Sequence, residues 1–119
     1  MILVDTSIWV NHLRKSDRRL EKILIDGEVC CHFFVIGELA CGNLKNRSRI
    51  LSLLQDLPAS PIIDQSEFLF FIKKHRLNGI GVGFVDVHLL ASAMLSNTLL
   101  WTSDKRLREA ALMLEVAYR

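Results

Sequence analysis

Apolar residues fall along this chain in two kinds of burst, and separating them yields most of the architecture. Ile2, Leu3 and Val4 form an unbroken apolar run, the pattern of a strand buried on both faces. From Ile8 the spacing changes. Ile8, Trp9, Val10 and Leu13 fit one side of a helix that Thr6 or Ser7 can cap, and Ser16 can cap a second helix holding Leu20, Ile23 and Leu24, stopped by Gly27. "EVCCH" predicts a strand, "FFVIGELACG" a helix ended by Gly42, and "RILSLLQDL" a helix ended before Pro58. "PII" predicts a short strand. Asp64 and Glu67 have capping-box spacing and open a helix through Lys74. Phe84 to Asn97 is apolar nearly all round and predicts a buried helix, followed by a strand in "TLLWTS", a helix in "DKRLREAALML" and a last edge strand in "EVAYR".

Strands alternating with helices predict an α/β fold, a parallel sheet with helices on both faces. A chain of 119 residues, half of them hydrophobic, suits one domain spanning 1–119. Charges interrupt every apolar stretch before the roughly 18 residues a membrane span needs, and "MILVDTS" is too short for a signal peptide, so a cytoplasmic protein without membrane contact is expected. Cys30, Cys31 and Cys41 are odd in number and form no CxxC pair, which fits free thiols in a reducing compartment. A net charge of +2 permits an RNA partner without demanding one. Basic residues gather at Arg14-Lys15 with Arg18-Arg19-Lys22, at Lys45-Arg47-Arg49, at Lys73-Lys74-Arg76 and at Lys105-Arg106-Arg108, each readable as a solvated helix face.

The acids change the picture. Burying a lone carboxylate costs several kcal/mol unless it is paired, hydrogen-bonded or bound to a metal, yet the apolar run at the start leads straight into Asp5. In open parallel sheets the ligand crevice lies beyond the carboxyl ends of the strands. Two predicted strands deliver acids there, "ILVDTS" Asp5 and "LLWTSD" Asp104, with hydroxyls beside them on Thr6, Ser7, Thr102 and Ser103. The competing reading of both is a helix N-cap, which Asp performs well. Glu38 rides on the apolar side of its predicted helix, near Phe34, Val35 and Cys41, with Gly37, Ala40 and Gly42 removing bulk around it. Asp86 falls in the first turn of the most apolar helix, where the alternative is simple stabilisation by the helix dipole. Carboxylates crowded in one pocket are stable only with shared protons or cations. Oxygen-only ligands select hard ions such as Mg²⁺ or Mn²⁺, the ions of phosphodiester hydrolysis. No phosphate-binding lysine motif competes, and "GIGVG" lacks the spacing of a dinucleotide fingerprint.

"ILVDTSIWV", "VIGELACG", "GVGFVDVHLLASA" and "LLWTSDKRL", in that order and each with its acid, resemble the PIN-domain ribonucleases, above all the VapC-type toxins of prokaryotic toxin–antitoxin pairs. The resemblance implies an acidic metal site of Asp5, Glu38, Asp86 and Asp104, with Thr6 or Ser7 and Thr102 as supporting hydroxyls. It also implies a sheet of four or five parallel strands, a homodimer, cleavage of structured RNA such as tRNA or rRNA, and neutralisation by a small antitoxin. Asp104 would complete a second-ion site or orient the attacking water. Arg14, Lys15, Lys105 and Arg106 are the candidates for holding the RNA backbone, and Trp9, Leu13, Leu20 and Leu24 for walls of an antitoxin groove. His88 lies about 200° round a helix from Asp86 and should not share its pocket. Two other functions stay in view. A receiver-like phospho-acceptor module needs an acceptor Asp at a central strand end, and Asp56 falls instead in a helical pattern. A catalytically silent RNA- or protein-binding domain could use the same fold.

Overall fold

The computed structural model describes all 119 residues. Three short strands, β1 (Ile2–Val4), β2 (Val29–Cys30) and β3 (Leu99–Trp101), alternate with seven helices. The helices are α1 (Thr6–Arg14), α2 (Arg18–Ile25), α3 (Phe33–Cys41), α4 (Arg47–Asp56), α5 (Gln65–His75), α6 (Phe84–Ser96) and α7 (Lys105–Met113). The strands pair in parallel in the order β2-β1-β3, with Leu3 opposite both Cys30 and Leu100, and Val4 opposite Trp101. Leu3 and Val4 are both fully buried. Neighbours in a strand point to opposite faces, so both faces of β1 are covered, and a continuous apolar run is what that setting requires.

The sheet has three strands, not the expected four or five. The predicted strand "PII" does not form, its place on one edge being taken by a single-residue bridge two residues earlier, Ala59 beside Cys31, and "EVAYR" shrinks to the bridge of Ala117 beside Leu100 on the other edge. Pro58 and Pro61 flank the first bridge, and neither has an N–H for a ladder. What remains is Cys31 N–H donating to the Pro58 carbonyl and Ser60 N–H to the Cys31 carbonyl, each at 2.9 Å. On the other edge Glu115 turns the chain at φ +60°, and only Val116 and Tyr118 then bond to Leu100.

Two caps also differ from expectation. Asp5 rather than Thr6 or Ser7 caps α1, and Asp17 rather than Ser16 caps α2, its side chain accepting from Arg19 and Leu20 N–H groups. The Asp64–Glu67 capping box forms as the spacing predicts. α6 is buried from Val87 to Ala93, but its ends surface: Phe84 is 61% exposed and Leu95 63%. Of the expected groove walls, Trp9 and Leu20 are buried in the core, while Leu13 is exposed. All three cysteines are free, and burial, with Cys30 adding to it, pushes the Cys31 thiol up to about 12. No helix is long and apolar enough to cross a membrane.

Candidate active site

The β2-β1-β3 order places β1 in the middle, flanked by the strand reached after it and the strand reached last. Its carboxyl end is therefore the switch point at which a crevice opens. Asp5 is the first residue past that end, and its N–H still bonds to the Trp101 carbonyl at 2.9 Å. That register sets Thr102 beside it. Asp5 is 6% exposed, and three donors answer the cost of burying its carboxylate. Thr6 N–H reaches Oδ1 at 2.7 Å, while the Ser7 and Thr102 hydroxyls reach Oδ2 at 2.9 and 2.6 Å. The hydroxyls are themselves fixed. Ser7 Oγ accepts from Ser103 N–H at 3.1 Å, and Thr102 Oγ1 from Asp104 N–H at 3.0 Å.

The other three acids surround this anchor. Thr6 Oγ1 donates to Glu38 Oε1 at 2.6 Å, tying the exposed Glu38 of α3 to the start of α1. Asp86 is half-buried in the first turn of α6, with Oδ2 accepting from Gly83 N–H at 2.9 Å. Burial is the main force raising its carboxyl above the usual range; the Gly83 bond opposes it, and the charges of Asp5, Asp104 and Glu38 add to it. Asp104 is exposed and does cap its helix, Oδ1 accepting from Leu107 N–H at 2.9 Å. The cap reading of Asp5 and Asp104 is thus realised, and both nonetheless lie near enough to Asp86 to repel it. The structure therefore brings together all four acids and all three supporting hydroxyls.

Two features bear on a metal. Glu38, Asp86 and Asp104 each commit one oxygen to a protein donor and leave the other free. The sole ion pair in the molecule is Lys22–Asp26 on α2, so no lysine, arginine or histidine neutralises any of the four. An oxygen-only, uncompensated set of this kind fits a hard divalent cation. No three His, Cys, Asp or Glu side chains are clustered closely enough as they stand to hold one.

The basic candidates separate. Lys105 and Arg106 follow Asp104 at the crevice end of α7. Arg106 lies across the loop before Asp86, its Nη1 at 3.4 Å from the Ile80 carbonyl. Gly81 has φ +88°, a backbone conformation that favours glycine, and a Cβ there would fall 2.5 Å from that nitrogen, so any larger residue would also displace the Arg106 side chain. Arg14 and Lys15 leave the far end of α1, about 12 Å along its axis from Thr6 at 1.5 Å per residue, and are not brought to the acids. His88 is buried among Phe34, Phe68 and Phe84, with ring centroids at 4.6, 4.5 and 4.7 Å, as its spacing from Asp86 implied. Sequence reasoning missed the backbone donors, Gly83 and Ser103 N–H. The only trace of the first was the glycine preceding a helix with Asp three residues on.

Comparison with known proteins identifies the family. The family model described as PIN domain matches residues 2–112. Ribonuclease VapC32 of Mycobacterium tuberculosis is 48% identical over 111 residues, covering 92% of this chain and 90% of that protein. Ribonuclease VapC1 of Methanocaldococcus jannaschii is 27% identical over 108 residues, 88% of this chain and 76% of that one. The crystal structure of PAE2754 from Pyrobaculum aerophilum superposes with a TM-score of 0.61 at 19% identity, covering 92% of this chain and 78% of that chain, a likeness of fold.

Proposed function

Since the chain belongs to the PIN-domain family, in its VapC-type branch, we propose that it is an endoribonuclease toxin that hydrolyses phosphodiester bonds of structured RNA, tRNA or rRNA, with Mg²⁺ or Mn²⁺. The observation that carries the reading is four acids about one crevice with no basic side chain to neutralise them.

Asp5, Glu38 and Asp86 would hold one or two ions. Asp5 is the rigid member, fixed by three donors, whereas Glu38 and Asp86 each rest on a single one. When bound, such an ion lowers the pKa of an attacking water and offsets charge on the leaving 3′-oxygen. Asp104 keeps Oδ2 free to complete the set or to orient water, its other oxygen being held by the α7 cap. Lys105 and Arg106, at the crevice, are the better placed to hold the RNA backbone, and contacts to phosphate position without reading sequence.

A cognate antitoxin is implied by the VapC-type branch, and the electrostatics suits one: unpaired carboxylates attract a Lys or Arg carried on a partner segment. A homodimer is supported by a different face. Exposed Phe70 and Leu95 border a hollow of about 540 Å³ between α5 and α6, apolar surface that a second copy can cover. The receiver alternative loses its candidate, because Asp56 ends α4 and no strand leads to it. Purified protein incubated with total RNA should yield discrete fragments with Mg²⁺ or Mn²⁺ and none with chelator. Intact RNA under every condition would leave a silent binding domain and overturn the proposal.

A further inference from the structure

Beside the acids lies a recess of which the hydrolytic chemistry uses only Glu38. It is lined by Phe33, Phe34, Gly37, Glu38, Cys41 and Phe84 among others, and has a volume of about 540 Å³. Phe33 and Phe84 are each 61% exposed, an unfavourable placement for two large apolar rings unless something covers them. The rings form a graded surface. Phe34 and Phe84 lie nearly parallel, 23° apart with centroids at 6.0 Å, and Phe33 follows Phe34 at 6.1 Å. Gly37 leaves the wall open, since a Cβ there would meet no atom within 4 Å. Glu38 joins recess to crevice, with Oε1 held by Thr6 and Oε2 free to accept a hydrogen bond. Just past Cys41, Lys45, Arg47 and Arg49 are all exposed, and Arg47 Nη1 approaches the Gly42 carbonyl at 3.4 Å.

Aromatic faces for bases and cations for phosphates together are the means by which proteins hold single-stranded nucleic acid. Resting on the ribonuclease reading above, we infer that this recess holds an unpaired nucleobase of the RNA substrate, with the adjoining backbone running along Lys45, Arg47 and Arg49. A base stacked on Phe33 and Phe84 can direct an exocyclic amine to Glu38. The site thus prefers RNA with a nucleotide free of pairing next to the scissile phosphate. The cationic strip favours this occupant over a basic protein tail, which it would repel.

The test uses Asp86→Asn protein, to prevent cleavage, with a labelled single-stranded RNA and the duplex of the same sequence as probes. Adding Phe33→Ala should weaken single-strand binding about 10-fold, the equivalent of about 1.4 kcal/mol, and leave duplex binding and Tm unchanged. Phe33→Trp should restore it. Gly37→Leu, whose side chain enters the open recess, should weaken single-strand binding while keeping or raising Tm. Changing Lys45, Arg47 and Arg49 to Gln should reduce the salt slope of single-strand binding by about 2, as three lost phosphate contacts imply. Unchanged single-strand affinity in both Phe33→Ala and Gly37→Leu overturns the inference, and so does loss of antitoxin binding alone, which would assign the recess to protein. Failure of the ribonuclease reading is a separate result, in which wild-type protein leaves all RNA intact.

Discussion

Thr102→Val removes one hydroxyl at the most enclosed point of the site and nearly preserves shape. Thr102 is 5% exposed, and its Oγ1 both donates to Asp5 Oδ2 at 2.6 Å and accepts Asp104 N–H at 3.0 Å. A hydrogen bond to a charged group contributes about 1.5–3 kcal/mol, and an acceptor lost from a half-buried N–H adds to the cost. Because valine leaves no cavity, the expected loss is about 2–3 kcal/mol with no packing share. For a domain of this length the unfolding entropy is on the order of 0.25 kcal/mol/K, so Tm should fall by about 8–12 °C. Thr102→Ser keeps the hydroxyl and should recover most of it. Metal-dependent cleavage should fall at least about 10-fold in the valine variant, the usual effect of losing a group that orients a ligand. Thermal melts and RNA cleavage on the three proteins decide the matter. A valine variant melting within about 2 °C of wild type would refute the view that these hydroxyls offset the burial of Asp5.

The other predictions concern the histidines. Burial, then the nearby His88, hold His32 down to about 4, so the folded state stays neutral while the unfolded chain protonates near 6.5. Stability should therefore fall by up to about 3 kcal/mol as pH drops from about 6.5 to about 4; His32→Asn, which can still accept the Phe34 N–H, should flatten that slope, and parallel urea-midpoint curves would contradict this. His88→Ala should lower Tm by opening a cavity among Phe34, Phe68 and Phe84. Its cleavage per folded molecule should survive, and loss of activity in folded protein would mean that imidazole belongs to the site.

The elements were legible where one local rule governed them. Ile2 to Val4 could only be a doubly buried strand, and Gly42 and the Asp64–Glu67 pair marked helix ends that the structure keeps. Reading failed where two rules met. Asp5 and Asp17 each compete with a neighbouring hydroxyl for the cap, and the charged acceptor takes the amides. "PII" has strand composition, but it begins on Pro61, which has no N–H for a ladder, and only Ala59 before it bridges to the sheet. The acids themselves were legible because each breaks its surroundings: Asp5 ends an apolar strand, Glu38 interrupts an apolar helix face, and Asp86 opens a buried helix. Their exact partners were not, since Thr102 and Asp5 are far apart in sequence and only the β1–β3 register joins them. The position of Arg14 and Lys15 was equally hidden, since they are close to Asp5 in sequence but a helix length away in space.

The central claim is that Asp86 serves a cation and not its helix, and Asp86→Asn separates the two. Asparagine can still accept the Gly83 N–H, so the helix start should hold. Burial and the charges of Asp5, Asp104 and Glu38 raise the Asp86 carboxyl, which makes its ionised form a cost to the fold. That cost is absent while the acid stays protonated and grows as pH rises through the carboxylate range. Chelated Asp86→Asn protein should therefore melt at or above wild type at neutral pH. Added Mg²⁺ or Mn²⁺ should raise the wild-type Tm by linkage, leave the variant's unchanged, and support RNA cleavage by wild type alone. A variant that still cuts RNA in a metal-dependent way, or a wild type that shows neither metal stabilisation nor cleavage, would contradict the account.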